Sequence, residues 1–165
     1  MQSRYTIAIL ASHNLVLEGI QRIVEQGEKN AEVVLATKSM NQLQRYCNRN
    51  TVDIIILVHF RIEHKVLKQI NHLKTRHPDT KVILVNMVHD THSVNRALQQ
   101  GLDGYVTRGN ISNELNQAIS DVVEGTIPYL PDDVASKVKQ TKQDVLKKKE
   151  RLISYLKERK LLSAA

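Results

Sequence analysis

Seven histidines and a single cysteine are the side chains best suited to metal or nucleophilic chemistry in this chain. His13, His59, His89 and His92 each follow a short hydrophobic run, and His64 stands nearby. Imidazoles placed in this way can ligate a transition metal, and a strand-end His59 could in principle carry a phosphoryl group. Neither chemistry is complete. No acid or metal ligand is placed to assist His59, and the lone Cys47 excludes both an internal disulfide and a multi-cysteine zinc site. The simpler reading has solvated loop histidines and a Cys47 packed as a small core residue on a helix. A phosphate-cradling glycine-rich loop, a nucleophile elbow and a zinc signature are all missing from the sequence. It therefore predicts no enzyme, no bound metal and no cofactor.

The elements that position these residues follow from hydrophobic periodicity. Five short aliphatic runs recur at Thr6–Ala11, Glu32–Ala36, Asp53–Val58, Lys81–Met87 and Gly104–Thr107. The third, Asp53-Ile-Ile-Ile-Leu-Val58, is apolar without alternation, as in a strand buried on both faces of a parallel sheet. Between the runs, apolar residues recur at helical spacing. Leu15, Ile20, Ile23 and Val24 mark the first helix, Leu43 and Tyr46–Cys47 the second, and Val66, Leu67, Ile70 and Leu73 the third. Val94, Ala97 and Leu98 mark the fourth, and Leu115, Ile119, Val122 and Val123 the fifth. His77-Pro78-Asp79 breaks the third helix, and Gly101-Leu-Asp-Gly104 stops the fourth. Ile111-Ser-Asn-Glu114 has the form of a helix start, with Asn110 or Ser112 as cap. The alternation predicts an α/β fold, a doubly wound five-stranded parallel sheet with helices on both faces.

Four segments carry a resemblance. They are His13-Asn-Leu-Val-Leu-Glu-Gly19, Arg76-His-Pro-Asp-Thr-Lys-Val82, Arg96-Ala-Leu-Gln-Gln-Gly-Leu-Asp-Gly-Tyr105 and Tyr129-Leu-Pro-Asp-Asp-Val-Ala135. In this order and at these intervals the chain resembles the receiver domain of NarL/FixJ-class response regulators over residues 4–138. The resemblance implies strand order 2-1-3-4-5 and a phosphorylation site at the carboxyl ends of the strands. In that family two acids after the first strand help hold Mg²⁺, which prefers hard oxygen ligands, and an Asp ending the third strand takes the phosphoryl group. A Thr or Ser and a Lys, ending the fourth and fifth strands, bind its oxygens.

Carried over position by position, that chemistry is lost. The acid pair falls on Ala11 and Ser12, the phospho-acceptor on Val58, the hydroxyl on Asn86 and the lysine on Arg108. Asp53 is no substitute, because it lies five residues from Val58, roughly 17 Å away along an extended strand. The resemblance thus implies a pseudo-receiver that takes no phosphate by the usual route, although Asn86 and Arg108 could still bind a small anion. With the clustered acids gone, the pocket is expected to be stable without metal. Tyr105 falls on the aromatic position that swings inward in working receivers; it is read either as frozen in one state or as an ordinary half-buried strand residue. Ser93, Arg96, Ala97, Tyr105 and Gln117 fall on the family's partner face, formed by the fourth helix, fifth strand and fifth helix. In NarL relatives the first and fifth helices also pair.

Charge separates the end of the chain from the rest. Residues 1–136 carry 14 Lys/Arg against 14 Asp/Glu, so the net +7 sits entirely in residues 137–165. Residues 139–165 are read as a basic C-terminal helix, or as the start of a truncated or missing output module, after a pseudo-receiver spanning 1–138. Val145, Leu146, Leu152, Ile153, Leu156 and Leu161 form a narrow apolar stripe among Lys147, Lys148, Lys149 and Arg151. The stripe fits docking or a short coiled coil, the cations fit contact with nucleic-acid phosphates, and a merely solvated charged face is the third reading. No apolar run approaches the roughly 20 residues that a membrane helix needs, and a cytoplasmic location is expected. The sequence as a whole predicts an atypical, phosphorylation-independent regulator acting through protein contact, with a homodimer as its expected state and another regulator or sensor as a further partner. The alternative is a DNA-binding transcription regulator whose pseudo-receiver controls dimerisation.

Overall fold

The computed structural model describes residues 4–27 and 30–159. Its elements alternate as expected. Strand β1 spans Tyr5–Ala11, helix α1 Asn14–Gly27, β2 Ala31–Thr37, α2 Met40–Cys47, β3 Ile54–His59 and α3 His64–Arg76. They continue with β4 at Lys81–Asn86, α4 at Thr91–Gln99, β5 at Gly104–Thr107, a 3₁₀ turn at Arg108–Asn110, α5 at Ile111–Glu124 and α6 at Asp132–Glu158. The five strands form one parallel sheet in the order β2-β1-β3-β4-β5. Each predicted strand is present with its ends shifted by at most one residue.

The sheet explains its own sequence. Ile54 to Val58 are all buried, because the central β3 has β1 and β4 on its edges and helices over both faces. Alternate residues Ile7, Ile9, Ala11, Ile54, Ile56, Val58, Ile83, Val85 and Val106 pack with Leu17, Ile20 and Val24 of α1 and with Leu115, Ala118, Ile119 and Val122 of α5. Two expected core residues are corrected here. Leu15 is 82% exposed and Val123 46% exposed, because at about 100° per residue they fall off the stripes that Leu17–Ile20–Val24 and Leu115–Ile119–Val122 aim at the sheet.

Polar ties lock the edge of the sheet away from the strand carboxyl ends. The Asp53 carboxylate accepts from the Thr6 amide (2.7 Å) and hydroxyl (3.0 Å), so it pins β1 to the start of β3. Asp103, buried just before β5, accepts from Lys74 Nζ and from the Val82 amide, both at 2.8 Å. Gly101 ends the α4 turn at φ +93, a backbone conformation that glycine adopts without strain. At the start of α5 the cap position is Asn110, not Ser112, and its side chain makes no capping bond. Glu114 reaches back instead to the Thr107 amide (2.8 Å) and hydroxyl.

The chain divides into two compact units, residues 1–131 and 132–165. Helix α6 therefore begins at Asp132, and the expected boundary at 138/139 falls inside it. The charge shift marks a change of surface, whereas Pro131 followed by Asp132 and Asp133 marks the helix start, where acidic side chains favour the helix dipole. No described helix is long and apolar enough to cross a membrane.

Candidate functional site

In an open α/β sheet the ligand crevice lies outside the strand carboxyl ends, where the order of the strands reverses. Here that point is the end of β1 and β3, with Ala11 level with Val58. The next rungs place Val58 beside Val85, His59 beside Asn86, and Asn86 beside Thr107. A cleft of about 390 Å³ opens there. Leu10, Ala11, Val58, Met40 and Val66 give it an apolar lining, and Ser12, Lys38, His59, Phe60, Arg61, Glu63, Lys65 and Gln69 line the remainder.

Three of the five positions that the resemblance matches to a receiver's phosphorylation site thus meet in one cleft: Ala11, Ser12 and Val58. They present a methyl, a hydroxyl and an isopropyl group. Asn86 and Arg108 are not part of this lining. Asn86 is buried, and its Nδ2 donates to the Val88 carbonyl (2.5 Å) and the Tyr105 hydroxyl (3.2 Å). Arg108 is exposed in the 3₁₀ turn. Glu63 is the one carboxylate in the lining; it stands at the α3 N-cap without making a side-chain capping bond.

Among the described residues, no three His, Cys, Asp or Glu side chains are placed to hold a metal ion. His13 and His92 are exposed, and the His89 Nδ1 lies 3.2 Å from the Tyr105 hydroxyl. His59 turns into the cleft. Burial lowers its pKa, opposed by the nearby Gln69 amide, with Lys65 lowering it further and Glu63 raising it. No well-formed bond joins His59 and Gln69: His59 Nε2 and Gln69 Oε1 are buried without a partner among the described residues. Burial pushes the Cys47 thiol up, which leaves it a poor nucleophile.

Tyr105 is fully buried, with its ring turned in towards Asn86 and His89. Of the residues expected to form the partner face, Arg96 and Gln117 are exposed and Ser93 is half-buried, its hydroxyl donating to the Asp90 carboxylate. That bond and the His92 and Ser93 amides lower the Asp90 pKa and cap α4. Ala97 is buried and cannot present a surface, because it lies one turn from Val94 on the inward stripe.

In α6, Leu146, Lys147, Lys148, Lys149, Arg151 and Ile153 are exposed and Leu156 is half-buried. At about 100° per residue, Val145, Leu146, Leu152, Ile153 and Leu156 share one face, and Lys149 stands in its middle. Leu161 lies outside the described residues.

Sequence reasoning missed Lys38, Arg61, Lys65, Phe60 and Gln69 as parts of the site. The available signal was position, since Lys38, Phe60 and Arg61 directly follow strand ends.

No family model matches the chain. A glycerol metabolism activator of Pseudomonas putida is 26% identical over 138 residues, covering 83% of this chain and 62% of that protein. Response regulator UvrY of Escherichia coli K12 is 24% identical over 132 residues, covering 80% and 60%. The chain thus spans about three fifths of the length of these curated relatives. A two-component response regulator of the LuxR family from Aurantimonas sp. SI85-9A1 superposes with a TM-score of 0.75 at 21% identity, over 85% of this chain and 99% of that one. A structure of two RcsB dimers bound to two parallel DNAs superposes at 0.71 with 18% identity, over 83% and 68%. The solved structures show the fold, and in sequence the chain is similar to the response regulator UvrY at about a quarter identity.

Proposed function

We propose that this chain is an atypical response regulator that signals through protein contact without being phosphorylated. The observation that carries this reading is the convergence of Ala11, Ser12 and Val58 in the strand-end cleft. A phosphoryl acceptor needs a nucleophile, and its transfer needs a cation to neutralise the developing charge. A valine supplies no nucleophile, and Glu63 alone is too few hard oxygen ligands for Mg²⁺. Incubation with acetyl phosphate and Mg²⁺, followed by intact-mass measurement, is expected to leave the mass unchanged. A labile adduct of one phosphoryl group refutes the proposal.

The output state is a homodimer in this reading. The buried Tyr105, held beside Asn86 and His89, keeps the face of α4, β5 and α5 in one form, with Arg96 and Gln117 as its accessible polar groups. The apolar face of α6 supplies the pairing stripe. Lys149 sits in that stripe and weakens it, although its stem can lie along the seam with the ammonium in water. Light scattering on the full chain and on a chain ending at Ser136 is expected to give a dimer and a monomer; equal masses reject the stripe as the dimer contact.

A second reading has its own support in the cations of α6 and in the DNA-bound structures of RcsB. In it the receiver controls dimerisation of a DNA-binding regulator, and Lys147, Lys148, Lys149 and Arg151 touch phosphates. Duplex binding that weakens steeply with salt is its signature. No binding at low salt ends it.

A further inference from the structure

The cleft at the ends of β1 and β3 carries the opposite charge from the one a magnesium site requires. Lys38, Arg61 and Lys65 line it against a single carboxylate, Glu63. We propose that this cleft is a metal-independent binding site for a small organic anion, a carboxylate or phosphate head on an apolar, preferably aromatic, body. The inference rests on the reading that no phosphoryl group is taken up there.

Four features of the cleft point to such a ligand. Its volume of about 390 Å³ falls within the range of small-molecule pockets. The lining is divided: Leu10, Ala11, Met40, Val58 and Val66 are apolar, while the three cations stand exposed at the rim. An anion with an apolar body places its head at that rim, where it keeps part of its hydration, and buries its body against the aliphatic groups. Phe60, the only phenylalanine of the chain, is 66% exposed at the mouth of the cleft and offers a ring face to stack on.

The fourth feature is buried polarity left without a partner. His59 Nε2 and Gln69 Oε1 line the cleft and lack hydrogen bonds among the described residues, an uncommon state for buried polar atoms. Both atoms are closed to solvent, so a ligand hydroxyl or amide reaches either one only once its side chain turns further toward the cleft. Asn86 and Arg108, the positions matched to phosphoryl-oxygen binding, take no part, because Asn86 is committed to Val88 and Tyr105. The charged rim of the site is therefore formed on the α2/α3 side of the strand ends by Lys38, Arg61 and Lys65, none of which is matched to the phosphorylation chemistry.

The test titrates the full chain with phenyl phosphate and with benzoate, followed by two-dimensional amide NMR without added metal. Benzamide serves as the neutral control and inorganic phosphate as the bodiless one. Saturable shifts are expected at Ser12, Lys38 and residues 60–65, with Kd on the order of 1 mM or tighter for at least one organic anion. Phenyl phosphate binding more tightly assigns a phosphate head, and benzoate binding more tightly assigns a carboxylate. Arg61→Glu and Lys65→Glu are each expected to weaken the favoured anion by about tenfold, and Phe60→Ala by several-fold, with the remaining spectrum unchanged. Benzamide or inorganic phosphate matching the favoured anion overturns the proposal. So does an absence of saturable shifts with both organic anions, or shifts confined to residues outside the cleft. A parallel acetyl phosphate and Mg²⁺ incubation keeps the two claims apart, since a covalent adduct there refutes phosphorylation independence and leaves reversible anion binding to be judged on the titration.

Discussion

Val58→Asp places a carboxyl one residue before the end of β3, at the position that the resemblance matches to the acceptor, without the two acids that would accompany it in a working receiver. Val58 is 5% exposed and belongs to the apolar cluster between the sheet and helices α1 and α5. Losing its burial costs about 1.5–3 kcal/mol, and burying a poorly paired carboxyl adds about 1–3 kcal/mol. Lys38, Arg61 and Lys65 oppose this from the rim, but they are exposed, and each exposed pair is worth only about 0–1 kcal/mol. Desolvation therefore wins, and a net loss of about 3–5 kcal/mol at neutral pH is expected. At about 2–4 °C per kcal/mol for a chain of this size, Tm falls by roughly 6–20 °C. Because burial raises the new carboxyl above its unfolded value of about 3.9, the loss is smallest below that pH, where both states are protonated. It grows as pH rises towards the folded-state value and is complete above it. Circular dichroism melts at acidic and neutral pH, with and without millimolar Mg²⁺, measure all of this. Mg²⁺ is expected to leave both the parent chain and Val58→Asp unchanged, and to raise Tm only when Ala11→Asp and Ser12→Asp are added. A single variant as stable as the parent at neutral pH, or one stabilised by Mg²⁺, would show that the crevice is still built for an acid.

Other perturbations follow from the same contacts. Asp103→Ala strips the acceptor from Lys74 Nζ and the Val82 amide and is expected to lower urea stability by about 3 kcal/mol; a loss below about 1 kcal/mol would count against its pinning role. His59 is half-buried with a lowered pKa, so the unfolded chain takes up its proton first as pH falls below about 6.5. Stability is then lost from that pH down to the folded-state value, and His59→Gln is expected to flatten the decline in urea midpoint between mildly basic and mildly acidic pH. Tyr105→Phe removes the hydroxyl shared with Asn86 and His89 and is expected to cost about 1 kcal/mol by the same assay, with an unchanged midpoint as the contrary result. Lys149→Leu, which completes the apolar face of α6, is expected to tighten self-association by about tenfold or more, read by analytical ultracentrifugation; no change argues that the face does not pair.

The parts legible in the sequence were those set by burial, and the parts that escaped it were those set by convergence. An unbroken Ile54-Ile-Ile-Leu-Val58 has few alternatives to a central parallel strand, because a side chain exposed on either face would relax the demand for apolar residues. Leu15 failed for the converse reason: a hydrophobic type does not fix a direction, and only the angular position relative to Leu17 and Ile20 turns it to solvent. Ala11 ends β1 and Val58 stands level with it, one residue before the end of β3, in a register that the sheet dictates, so resemblance and geometry address the same backbone positions. The cleft's cations could not be placed in this way. Lys38 leaves β2, Arg61 leaves β3 and Lys65 sits in the first turn of α3, and nothing local to any of them signals the others. Their meeting depends on the crossover that sends β2 to one side of β1 and β3 to the other. That same crossover brings together the acids of a working receiver. The scaffold thus specifies where chemistry converges, while the residue types at the strand ends decide whether the point attracts a cation or an anion. In the reading proposed for this chain, the methyl and isopropyl groups remove the demand for metal, and three rim cations against the single carboxylate of Glu63 set the sign.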